Sequence, residues 1–467
     1  MAQLCWLISL NPGLNSLRIN YLPFQDVRDA RRFATAIAGL SKLKVLNLQI
    51  ATKNDEWFEF WSPTFFCCPP SLQRLNISSV RSSRSFPLDE QSDPRNEEDY
   101  NVAATFPRQE PLVNLEELFL LGVNRWPSEI DIASILVRCP NVKRLDLPMI
   151  EPKHGNVVMG EYIGRECSMI ESLVYRAYGS LTFNPLPLKI MDSLPAQQFT
   201  NLQYHGMIGG ISRAATINTF QRHSITLQRI SIEGSISSTR IPLSVIFKEC
   251  SNLVVLNIPY YDATGHYVTL VDALEYPWVC TKLQQLYLAI DGCELPLEAP
   301  GSATPYYTRP TPITLTKAEI HHFSQLEKLY RQIGALTNLQ DLDLRMVQVS
   351  LPQQQDQSGS MILSHMCPVF HAMLNLPSDT AVPGRPGFLH LLAGLKKLEC
   401  LKGSVSAEVE ETKVTMGWAE VRWMEENWPL LRMADFFTHN DDVTAPFQWL
   451  VVKRMNEGQK ELLVAKW

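Results

Sequence analysis

The residues best able to carry chemistry in this sequence are its ten cysteines and ten histidines. A zinc hydrolase needs His-Glu-x-x-His, which sets two ligands on one helical face. His321 and His322 are adjacent instead, so they are expected at an exposed or boundary position of a helix. Cys68, Cys139, Cys167, Cys250 and Cys280 form no Cys-x-x-Cys pairs with matching histidines, so structural zinc is not indicated. Gly206 to Gly210 reads Gly-Met-Ile-Gly-Gly, with neither the dinucleotide-binding spacing nor a following phosphate-binding lysine. Asn76-Ile77-Ser78 fits a glycosylation sequon but falls where a strand is expected, and it is discounted. These residues point to no catalytic site, no metal and no cofactor; the chain reads as a non-enzyme.

What would position them is a repeat. The template Leu-x-x-Leu-x-Leu/Ile occurs at Leu14-Leu17-Ile19, Leu43-Leu46-Leu48, Leu72-Leu75-Ile77, Leu115-Leu118-Leu120, Val142-Leu145-Leu147 and Ile170-Leu173-Tyr175. It returns at Leu227-Ile230-Ile232, Leu253-Leu256-Ile258, Leu283-Leu286-Leu288 and Leu339-Leu342-Leu344. Looser copies lie at Leu202-His205-Met207, Leu398-Leu401 and Leu431-Ala434-Phe436, which makes about thirteen units. Most steps between copies run from 25 to 32 residues, close to the roughly 20–29 of a leucine-rich repeat. The fold class expected is α/β: a leucine-rich-repeat solenoid, or horseshoe, with parallel concave strands and convex helices. The five cysteines stand three or four residues before a template aliphatic residue and read as buried thiols under the helix-to-strand turn.

Helical spacing fills the returns. It appears at Ile130–Arg138 (through Ile132, Ile135 and Leu136), Leu243–Lys248, Val268–Leu274 and Lys317–Ile333. In the last of these Ile320, Phe323, Leu326, Leu329 and Ile333 are expected on one buried face. Met1–Leu10 reads as the end of a helix, Gly387–Leu395 as an apolar helix, and Met416–Trp428 as an amphipathic helix stopped by Pro429. Residues 1–350 therefore form repeats with insertions near 78–111 and 295–314. Residues 351–386 read as a flexible loop, and 387–467 as C-terminal repeats with an aromatic cap. A partner-binding patch is the alternative reading of the terminal tryptophans.

Strand residues flanking the template pairs point to the other face. They include Arg18, Asn47, Asn76, Glu117, Phe119, Arg144, Asp146, Tyr204, Arg229, Glu233, Asn257, Gln285, Tyr287, Asp341, Asp343 and Arg345. From Glu117 onward, all but Glu233 and Asn257 are the candidate partner-binding residues. Mixed charge with interleaved aromatics suits a protein surface. The formal net charge of −6 offers no basic footprint for nucleic acid and no polybasic membrane patch. No window holds the roughly 18 apolar residues of a spanning helix, so a cytoplasmic or nuclear location is expected.

Units such as Cys139–Leu147 (CPNVKRLDL) resemble the cysteine-containing leucine-rich repeats of F-box proteins. Segments 329–344, 391–403 and 416–436 resemble the C-terminal half of a fungal F-box-like repeat family. The resemblance implies the substrate-recognition part of a ubiquitin-ligase receptor. The sequence departs from the family in having no Leu-Pro-x-Glu/Asp helix trio before Leu14. Skp1 and cullin are therefore expected as partners only if an F-box is supplied upstream. The competing expectation is a stand-alone repeat protein that sequesters or competes for a partner.

Overall fold

The computed structural model describes residues 1–24, 26–52, 57–81, 110–121, 129–148, 150, 156–176, 184–205, 212–233, 243–258, 268–293, 310–346, 370–377, 383–403 and 418–435. It divides into two compact units, residues 1–207 and 208–467.

In the first unit each template copy becomes a strand, and every return except the one between the third and fourth strands, most of which lies outside the described residues, contains a described helix. The strands are β1 (Ser16–Pro23), β2 (Val45–Thr52), β3 (Arg74–Arg81), β4 (Glu117–Leu121), β5 (Arg144–Pro148), β6 (Ser172–Arg176) and β7 (Asn201–His205). They pair in sequence order and all parallel. The register aligns template columns: Leu46, Leu75, Leu118, Leu145, Leu173 and Leu202 form one continuous row. All six are buried, because a period of two sends alternate side chains to one face. The helices are α1 (Ala2–Ser9), α2 (Val27–Ala38), α3 (Trp57–Phe66), α4 (Glu129–Leu136), α5 (Asn156–Glu166) and α6 (Leu186–Ser193). Asp26 starts α2 by accepting the Asp29 backbone N–H at 2.9 Å. Helix α5 meets α6 through Gly160 and Gly164. A Cβ on Gly164 would lie 2.4 Å from Ser193 Cβ, so the absent side chain sets how closely the helices approach.

The second unit contains β8 (Arg229–Glu233), β9 (Val255–Ile258), β10 (Val268–Thr269), β11 (Gln285–Asp291), β12 (Asp341–Met346), β13 (Cys400–Gly403) and β14 (Met433–Asp435). Their order is β8-β9-β11-β12-β13-β14, parallel throughout, with β10 on the end of β11. Its helices are α7 (Arg213–His223), α8 (Leu243–Glu249), α9 (Leu270–Leu274), α10 (Lys317–Gly334) and α11 (Trp418–Asn427). A reciprocal cap between Thr316 and Glu319 opens α10. Parallel strands joined by helical returns make the chain an α/β solenoid of leucine-rich repeats. Thirteen template strands lie among the described residues, with β10 outside the series.

The repeat-to-repeat joints use side chains just before the first template position. Asn141 Nδ2 donates to Val113 O at 2.8 Å, and Asn114, Asn252 and Asn338 make the same bond one repeat back, while Ser71 Oγ donates to the Leu43 carbonyl at 2.8 Å. The five cysteines are buried, and none of the five is in a disulfide. Cys68 and Cys139 donate weakly to carbonyls one helical turn behind, at 3.3 Å.

Several expectations are corrected. Val268–Thr269 is strand, and helix begins only at Leu270. Ile320 is 55% exposed, while Phe323, Leu326, Leu329 and Ile333 are buried, joined by Glu319, His322 and Tyr330. His322 is thus a buried residue and His321 an exposed one. Gly387–Leu395 forms only a 3-10 turn, Leu389–Leu392. Gly387 and Gly394 lie there against the Leu376 and Gly334 carbonyls with no room for a Cβ. The insertion near 78–111 starts later, since β3 runs to Arg81; residues 82–109 lie outside the described residues, as do 294–309. Of the loop expected at 351–386, residues 351–369 and 378–382 also lie outside. Phe370, Met373, Leu374, Asn375 and Arg385 are buried, so the described parts are packed. Arg385 pairs with Glu420 of α11 at 2.8 Å. Val421, Met424 and Trp428 of the terminal segment are buried.

Candidate protein-binding surface

The strand residues between the buried columns form an outward face. In the first unit its upper row runs Val45, Arg74, Glu117, Arg144, Ser172 and Asn201 across neighbouring strands. Parallel register therefore puts Glu117 between two arginines. Arg74 Nε lies 3.4 Å from its Oε2, and Arg144 Nη1 donates to its Oε1 at 3.0 Å. The second row runs Asn47, Asn76, Phe119, Asp146, Val174 and Gln203. Half-buried Phe119 carries the Arg74 guanidinium 5.1 Å above its ring, a cation–π contact. Asp146 is clasped by Arg176 through Nε at 3.2 Å and Nη2 at 3.0 Å. Burial raises its carboxyl pKa, and Arg176 opposes that rise.

Tyr204 was expected on this face and is not there. It pairs in register with Tyr175, is fully buried, and stacks on that ring with centroids 5.8 Å apart. The true repeat is Phe199-Leu202-Tyr204, three residues from the expected register, and all three are core. His205 is consequently not a template core residue. It continues the row of Pro148 and Arg176, although neighbours bury it. Tyr175 holds the layer together by accepting from Asn184 Nδ2 at 2.8 Å and from the Ile150 backbone N–H at 3.1 Å. Burial pushes its phenol up to about 12, and it pushes the Tyr204 phenol higher still.

The second unit carries a separate group. Gln285 and Tyr287 of β11 face Asp341 and Asp343 of β12 in register. Gln285 Nε2 donates to Asp341 Oδ2 at 3.0 Å, and Arg345 grips Asp343 with two bonds of 3.0 Å. Burial pushes the half-buried Tyr287 phenol up to about 12, with both aspartates adding to the rise. Arg229 and Arg345 are exposed, and Asp343 is buried beneath its own arginine. Asn257 donates to Ser231 at 3.0 Å. Arg18 lies on β1, exposed, donating to Asn20 at 3.0 Å. Nothing is described of the Glu233 side chain.

Among the described residues no group of three or more His, Cys, Asp or Glu side chains is placed to hold a metal. No described helix is long and apolar enough to cross a membrane. Several outward residues pair with one another, namely Arg74 and Arg144 with Glu117, Arg176 with Asp146, Gln285 with Asp341 and Arg345 with Asp343. Arg74 and Arg176 were missed as candidates. Both sit in outward columns that emerge only when the repeats are aligned.

No protein-family model matches the chain, and no curated protein does. Among solved structures it is similar to a chain from "Crystal structure of Rad7 and Elc1 complex in yeast". The match has 12% identity, covers 94% of this chain and 83% of that one, and has a TM-score of 0.37. At that level it bears on neither function nor partner.

Proposed function

We propose that this chain is a non-catalytic repeat scaffold that holds another protein on the outward faces of its strands. The observation that carries the reading is Phe119, a half-buried aromatic under Arg74, bordered by the Arg74–Glu117–Arg144 ladder. Aromatic and arginine side chains are enriched among the few residues that carry most protein–protein binding energy. Glu117, Phe119, Arg144 and Arg229 are the proposed contacts, together with Gln285, Tyr287, Asp341 and Arg345; Asp146 and Asp343, buried beneath Arg176 and Arg345, would act by holding those arginines. By its resemblance to F-box repeat proteins, the finer reading is the substrate-recognition arm of a ubiquitin-ligase receptor, acting in the cytoplasm or nucleus.

Affinity capture with the intact chain, beside Phe119→Ala and Tyr287→Ala, tests both levels. The scaffold reading expects captured proteins whose recovery falls in at least one variant while the variants stay folded. Recovery unchanged in both overturns it. Co-purified Skp1 and cullin support the receptor arm. Partners without them support sequestration and remove the ligase reading.

A further inference from the structure

The charge on the outward face of residues 1–207 runs against that of the chain. The whole sequence carries a formal −6. In the described part of this face, Arg18, Arg74, Arg144 and Arg176 meet only Glu117 and Asp146 as acids. Glu117 is shared by two arginines, and neither guanidinium is sunk: the Arg74 and Arg144 side chains are 47% and 64% exposed. Each guanidinium has five N–H donors, and the single carboxylate between these two cannot occupy them all. Phe119 offers an apolar ring between the strands that carry them.

We propose that this face docks an extended, carboxylate-rich segment of a partner protein, with acidic side chains on Arg74 and Arg144 and an apolar one on Phe119. This rests on the scaffold reading and names the chemistry of its partner. The spacing suits it. Arg74 and Arg144 are two strands apart, about 10 Å at roughly 4.8 Å per parallel strand. In a polyproline-like extended segment, residues three apart lie on one side at about 9 Å. Planar guanidiniums take carboxylates in two-point contacts, which lysines would not do.

The test is fluorescence anisotropy of the full chain with a short labelled peptide bearing glutamate at every third position and leucine between. Its glutamine twin, its lysine twin and a thymidine oligonucleotide are the comparison probes. The glutamate peptide is expected to bind, and to weaken roughly tenfold or more when salt rises from about 50 to about 500 mM. Arg74→Glu with Arg144→Glu is expected to abolish binding. Arg74→Gln with Arg144→Gln should weaken it about tenfold and serves if the charge reversal unfolds the chain. Arg165→Glu, on α5 with its side chain 71% exposed, should leave it unchanged. Equal binding of the glutamine twin, no binding of the glutamate peptide, or indifference to Arg74 and Arg144 overturns the proposal. Tighter binding of the oligonucleotide through the same arginines also overturns it, in favour of a nucleic-acid surface. If a captured partner needs Phe119 but is insensitive to salt and to both arginines, the scaffold stands and the acidic-segment inference falls.

Discussion

Leu145 and Arg144 are neighbours in β5 that the repeat sends in opposite directions, so replacing each with alanine tests the alternation itself. Leu145 is buried in register between Leu118 and Leu173. Truncating it removes buried apolar surface and leaves a void that close-packed strands cannot fill; such changes cost about 2–5 kcal/mol. Arg144 loses one exposed pair with Glu117, worth about 0–1 kcal/mol. Glu117 keeps Arg74 as a partner, which holds the loss toward the lower end. A solenoid transmits such damage mainly to adjacent repeats. The assay is therefore hydrogen exchange in denaturant, read peptide by peptide. Leu145→Ala should lower protection across 110–176 by about a hundredfold, and Arg144→Ala by less than about fivefold. Equal losses, or the larger one at Arg144, would refute the assignment of faces.

Tyr204→Ala should cost about 3–5 kcal/mol in denaturant melts, as for other buried aromatics; a near-neutral result would return Tyr204 to the surface. Gly164→Leu should destabilise the first unit by a few kcal/mol because its Cβ would meet Ser193. Gly13→Ala, with nothing within 4 Å, should change little in the same melts. Burial pushes the Cys167, Cys250 and Cys280 thiols up from near 9 to about 12. The folded chain therefore keeps protons that the unfolded chain gives up above about pH 9. Their contribution to stability is full below that pH and declines as pH rises toward about 12. At pH 8, mass-resolved alkylation should modify half-exposed Cys5 before these three; faster reaction at any of the three would contradict their burial.

Strand positions were legible because the leucine columns repeat at nearly fixed steps and the strand period is two. The register of β7 was not, because Phe199 and Tyr204 fill leucine places with aromatics. A template admitting aromatics finds Phe199-Leu202-Tyr204 at once. Gly403 hides a column in the same way: its φ of +97 and the Leu344 carbonyl leave no space for a side chain where a leucine would stand. The asparagine joints were visible in Cys-Pro-Asn and Cys-Ser-Asn, but their acceptors lie a repeat away and emerge only from stacking. The Arg74–Glu117–Arg144 ladder likewise joins residues from three repeats, and only the register brings them together.

The outward face as the partner surface is tested most directly by placing a photocrosslinking residue at position 144 or 287 and, for comparison, at 165 on helix α5, then irradiating the full chain in cell extract. The account predicts discrete protein adducts from positions 144 and 287 that are absent from 165. Adducts from 165 alone, or the same adducts from all three, would contradict it.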